Sequence, residues 1–123
     1  MQLKSLIIAL VAGQALAFSA WAHHSHGAYA MTDYVEVEGT VTDVYWINPH
    51  AWVYLDVIAE NGDTVNWALE AAGASTLIRA DIDPDGVKAG DRIHVKCHQL
   101  RDRSNGCLLG FVTNSDGATI EWD

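Results

Sequence analysis

Positive charge is scarce in this chain. Seven Lys and Arg stand against sixteen Asp and Glu, a formal net charge of −9 with histidine neutral. Every acidic residue lies beyond residue 22, and they are spread along the chain. A surface of that sign excludes nucleic acid and anionic lipid headgroups as partners, because both are bound by Lys and Arg replacing counterions. It favours cations and basic partners; the plainer reading is that it keeps the protein soluble.

Long apolar runs are also missing after the N-terminus. The run from Leu6 to Leu16 is too short for the roughly 18–20 residues that cross a bilayer. Lys4 precedes it, and Ala20-Trp21-Ala22 follows as a small-x-small cleavage site. This pattern predicts a signal peptide over residues 1–22, a cut after Ala22, and a periplasmic or secreted protein with no remaining membrane span. An uncleaved signal anchor is the alternative. No cysteine follows the small residues, which argues against a lipid-anchored lipoprotein.

Cysteine is sparse: only Cys97 and Cys107. The tract His94-Val95-Lys96-Cys97-His98 ends like a haem attachment motif but lacks the first Cys of Cys-x-x-Cys-His, so c-type haem is excluded. In an oxidising compartment two cysteines are read first as a disulfide. Catalytic signatures are absent as well. There is no Ser-His-Asp spacing, phosphate loop or paired-carboxylate element, so the chain reads as a binder rather than an enzyme.

What is present is β patterning. Val35, Val37, Gly39 and Val41 share one face, and the phase then slips to Val44 and Trp46. That slip predicts a bulge or bend near Thr42-Asp43. Ala51, Val53, Leu55 and Val57 alternate with Trp52, Tyr54 and Asp56. Asn61-Gly62 is a hairpin signal, leading into Thr64–Glu70 with Val65, Trp67 and Leu69 inward. Gly73–Arg79 predicts a short helix. Ile93, Val95 and Cys97 mark a fourth strand, Cys107–Thr113 a fifth, and Ala118–Trp122 a short tail.

Three strands, a short helix and two strands, with the first strand bent, is the order of a five-stranded OB-like barrel. A β-sandwich or a twisted meander with one helix is the alternative. The predicted organisation is a signal peptide over 1–22, a His-containing arm over 23–34 and the barrel domain over 35–123.

Cleavage after Ala22 leaves a chain beginning His23-His24-Ser25-His26. A free α-amine beside the imidazole of a first-residue His chelates Cu, and further imidazoles suit Cu or Zn. His23, His24 and His26 are the expected metal ligands, with His50 joining from the barrel. The plainer reading is a polar leader that touches nothing.

The segment Tyr45-Trp46-Ile47-Asn48-Pro49-His50-Ala51-Trp52, the His-His-Ser start, Asn66-Trp67-Ala68-Leu69-Glu70 and Lys88-Ala89-Gly90-Asp91 carry a resemblance. Together they resemble domain-of-unknown-function family 6152, a family of exported bacterial proteins. The resemblance covers nearly all of the chain after residue 22. It implies a single periplasmic or secreted domain with an OB-like fold, and no activity. Cys97 and Cys107 stand outside the family pattern.

Pro49 fixes φ and holds Asn48 extended, so His50 is presented at a defined angle on the loop between the first two strands. Loops at that position line ligand sites in OB barrels. Glu70 is the carboxylate expected to face His50, as a second-shell metal arrangement or a structural pair. Alternatively, Asn48 and His50 simply brace the turn. Trp52 and Tyr54 lie opposite the apolar face of the second strand, so with Asn48 and Glu70 they form the expected ligand face, for a flat small ligand or an envelope protein. The N-terminal arm covering Trp52 is the alternative. Trp46 and Trp67 are read as core.

Asp81–Gly86 opens like a calcium loop, but Arg92 occupies the position that needs Glu, so it is read as an acidic turn. His94 and His98 lie roughly 13 Å apart on a regular strand, too far for one ion. Pairing Cys97 with Cys107 predicts Val95 opposite Leu109 and Ile93 opposite Phe111, all six inward.

Overall fold

A computed structural model describes residues 26–122. Alternating β-branched and polar residues set out five long strands. They are β1 (Val35–Tyr45), β2 (Trp52–Ile58), β3 (Thr64–Glu70), β4 (Arg92–Gln99) and β5 (Gly106–Thr113). One helix, α1 (Ala74–Arg79), lies between β3 and β4. A short sixth strand, β6 (Thr119–Glu121), follows β5. The predicted tail thus forms an added strand, pairing Phe111 with Glu121 and Thr113 with Thr119.

The bend in β1 splits its pairing. Val35–Thr40 run antiparallel to β4, and Thr40–Tyr45 to β2, with a register shift between Val41 and Asp43. One strand therefore serves both halves of the barrel. β2 and β3 form a hairpin whose turn places Asn61-Gly62 at its tip. β3 then pairs parallel to β5, Ala68 with Gly106 through Glu70 with Leu108. That pairing closes a five-stranded barrel in the cyclic order β1-β2-β3-β5-β4, the OB-type arrangement.

Inward residues fill the barrel: Val41, Val53, Leu55, Leu69, Val95 and Leu109 are among those almost fully buried. Leu77 of α1, with Ile82 and Val87 from the following loop, joins the same core. Trp46 packs on Trp122 at 5.5 Å between ring centroids, and Trp67 lies half-buried against the core. The Asp81–Gly86 segment closes as a turn, with the Asp85 N–H donating to the Asp83 carboxylate at 2.8 Å.

The β4–β5 register departs from the predicted one. Cys97 faces Leu109, Val95 faces Val112 and Lys96 faces Phe111. Gly110 is the extra residue of a bulge. A Cβ there would come within 2.7 Å of the Tyr34 ring, so only glycine lets that ring lie so close. The bulge turns Phe111 outward, where it meets Tyr34 edge-on at 5.9 Å, instead of inward beneath Ile93. Cys97 and Cys107 remain inward, fully buried and at disulfide distance, with 5.6 Å between Cα atoms.

The part of the arm that is described, residues 26–34, is laid against the barrel. It opens with a 3-10 turn, His26–Ala28. The Ala30 N–H donates to the Gln99 carbonyl (2.8 Å), and the Arg101 N–H to the Ala28 carbonyl (2.9 Å). His98 is buried beneath this segment. Its Nδ1 faces the carbonyls of Asp33 (2.8 Å) and Ala30 (3.2 Å), and Tyr34 stacks on its ring at 4.1 Å. His94, in contrast, stands near the surface with Nε2 3.2 Å from Glu36.

Candidate functional site

The loop from β1 to β2 is built around Asn48. Its Oδ1 accepts the Ser75 N–H at 3.1 Å, and its Nδ2 donates to the Ser75 hydroxyl at 2.8 Å. Gly73 precedes α1 and offers no side-chain cap, so Asn48 does from a distance what an N-cap residue does locally. A Cβ on Gly73 would lie 2.6 Å from the Pro49 carbonyl oxygen, so glycine is what lets the loop dock. The Ala74 N–H also donates to the Ile47 carbonyl at 3.0 Å. Asn48 thus braces the turn, and His50 is carried on a fixed support at the start of β2.

Glu70 ends β3, directly across from Trp52. It is buried, and its two oxygens are divided between two partners. Oε1 is 3.1 Å from Nδ1 of His50. Oε2 accepts the hydroxyl hydrogen of Tyr29. A buried carboxylate needs such partners, because leaving its charge unpaired away from water costs several kcal/mol. Burial, the hydrogen bond to Glu70 and the nearby negative charge, in that order, push the Tyr29 phenol well above its ordinary range. Tyr29 therefore stays a neutral donor. With Nδ1 of His50 turned to Glu70, the other ring nitrogen, Nε2, is left available, and the His50 side chain is 35% exposed.

Beside this cluster the outer face of β1 and β2 carries three aromatic rings. Trp52 and Tyr54 are partly exposed with near-parallel rings, centroids 6.4 Å apart and planes at 24°. Tyr45 stands at 89° to Tyr54, 5.8 Å away, and is half exposed. Tyr54 faces the small side chain of Ala68 on one side and Asp43 on the other. The Asn66 amide holds the Asp56 carboxylate at 3.1 Å.

Of the expected metal ligands, His26 lies exposed on the 3-10 turn, and His50 sits in the cluster just described. His23 and His24 lie outside the described residues, as do the predicted signal peptide and cleavage site. Among the described residues no three His, Cys, Asp or Glu side chains come together. Of the expected ligand face, Glu70, Trp52 and Tyr54 share one region, with His50 beside them, while the Asn48 side chain is engaged by Ser75.

Tyr29 is the residue that sequence reasoning missed. One signal was available: a single tyrosine among Gly27, Ala28 and Ala30, in a segment with no other large side chain up to Met31 except His26. Small flanking residues let a ring enter a packed site.

A small closed barrel of OB type, with a Tyr–carboxylate–His cluster and an aromatic stretch on one outer face, is the class defined here. Within it the chain belongs to the family of unknown function DUF6152, whose model matches residues 11–109. A search of curated proteins found no match.

Proposed function

We propose that the chain is an exported small-ligand-binding module, and that its ligand is a Cu or Zn ion held by His50 with His23, His24 and His26. One observation carries this reading: Glu70 grips both Tyr29 and Nδ1 of His50. The arm is anchored on the carboxylate that orients His50, and His26 precedes the anchor by three residues. A carboxylate on Nδ1 fixes the ring and makes Nε2 a better metal donor. Cleavage after Ala22 supplies the α-amine and imidazole of His23 as a chelating pair. Imidazole must be neutral to bind, so protons compete with the metal and uptake weakens as pH falls.

The test is a titration of the protein processed after Ala22 with Cu(II) and with Zn(II), followed by calorimetry and, for copper, electron paramagnetic resonance. Tight uptake of one equivalent is expected. A His23→Ala/His24→Ala double change abolishes it, and Glu70→Gln weakens it about 10-fold or more. Equal affinity in all variants ends the reading.

A second reading is favoured by the solvent-open rings of Tyr45, Trp52 and Tyr54: this face takes a small organic ligand or an envelope protein. Loss of binding in Trp52→Ala with metal uptake intact supports it.

A further inference from the structure

The geometry points to an organic ammonium group as the ligand of the aromatic face, bound over Tyr45, Trp52 and Tyr54 and drawn there by Asp43 and Asp56. The inference deepens the second reading above and is independent of the metal site.

Two observations select this class. Tyr45 and Tyr54 meet edge to face at 89°, and the Trp52 ring lies near-parallel to that of Tyr54, at 24° with 6.4 Å between centroids. A compact cation beside rings set at right angles can meet π electron density from more than one direction, which a flat neutral ligand cannot use equally well. The charge around these rings has one sign. Asp43 is the direct cross-strand neighbour of Tyr54, and Asp56 follows two residues along β2 on the same face. The outward positions from Asp43 to Tyr45, Trp52 to Asp56 and Asn66 to Glu70 include no Lys or Arg. The cationic side chains of β1's other neighbour, Arg92 and Lys96, are spent on Glu38 and Glu36. Apart from His50, which is held by Glu70, the charged groups beside these rings are carboxylates, so an ammonium group gains both ring contact and charge neutralisation.

The chemistry also fits the surroundings of each ring. Tyr54 faces Ala68 across the hairpin, which leaves room above the ring. Asp43 is exposed, so it contributes attraction at a distance rather than a fixed bond, and binding should weaken with added salt.

The probe is choline, compared with its uncharged isostere 3,3-dimethyl-1-butanol and with benzyl alcohol, on the protein carrying isotope-labelled tryptophan. The indole N–H signals are followed by nuclear magnetic resonance and assigned with Trp52→Phe, with Trp46, Trp67 and Trp122 as internal references. Choline is expected to shift the Trp52 signal saturably in the millimolar range, and the isostere to bind at least 10-fold more weakly. Asp43→Asn, at an exposed position that does not threaten the fold, should weaken choline about 3-fold, and Trp52→Leu should remove the response. Equal binding of choline and its isostere overturns the choice of cation. Binding of benzyl alcohol without choline overturns it too and leaves the aromatic face standing as a binding site. No shift with any of the three compounds up to 100 mM overturns both.

Discussion

At one end of the β2–β3 face, Tyr29, Glu70 and His50 hold one another through a buried carboxylate. Next to them, Tyr45, Trp52 and Tyr54 meet ring to ring and stay partly open to solvent. The two stretches are neighbours in register, since Trp52 pairs with Glu70, yet they obey different physics. In the polar cluster every group depends on its partner, because an orphaned buried donor or charge loses its hydration with nothing in return. In the aromatic stretch each ring keeps part of its surface in water, so losing one leaves no unpaired polar group. Stability should therefore be concentrated at the cluster, and exchangeable ligand contact at the rings.

The sharpest way to break this contrast is at Glu70. Glu70→Ala leaves the Tyr29 hydroxyl and Nδ1 of His50 without their acceptor, and is expected to cost about 2–4 kcal/mol in urea unfolding. Reducing the Cys97–Cys107 pair comes next. Both cysteines lie fully buried, and Cys107 pairs with Leu69 in the stretch of β5 that runs beside the end of β3, next to the cluster. A bond across ten residues is worth about 2–3 kcal/mol, so a Cys97→Ala/Cys107→Ala variant should fall by that amount while mass spectrometry of the parent protein reports two hydrogens lost.

Tyr29→Phe is expected to cost about 1.5 kcal/mol, the worth of one hydrogen bond to a charged group at the low end. It should also change the alkaline limb of stability. The folded state holds the Tyr29 phenol above its unfolded value, so its contribution is complete below pH of about 10 and declines as pH rises beyond that. Above that pH the parent protein should lose stability faster than Tyr29→Phe, read as the difference between their urea midpoints. Trp52→Ala, at the other side of the comparison, should cost less than the Glu70 change, about 1 kcal/mol, because the ring is only partly buried. Equal losses at Trp52 and Glu70 would remove the distinction between the two stretches.

The barrel itself was largely legible. Strands, the short helix and the bend near Thr42-Asp43 follow from period-2 patterning and turn residues, which act over a few positions. The meeting of His50 with Glu70 could be anticipated because each lies at a strand end in the same hairpin system. Tyr29 could not be placed that way. Its partner is 41 residues distant, and no local periodicity marks a side chain that is buried by docking rather than by its own strand. The Gly110 bulge escaped for a related reason. Cys97, Val95 and Ile93 alternate cleanly on β4, but the extra residue on β5, Gly110, lies under the Tyr34 ring of the arm, a neighbour that strand alternation does not reveal. His98 belongs with these: four residues from His94 and on the same outward side, it is buried only because the arm crosses it.

One carboxylate, Glu70, joins the arm to the β1–β2 turn. A double-mutant cycle on Tyr29→Phe and His50→Gln, read in urea unfolding free energy, tests it most directly. Coupling of about 0.5 kcal/mol or more is the predicted result, since both side chains act on Glu70, whereas losses that add to within about 0.3 kcal/mol would mean that the two do not share a site.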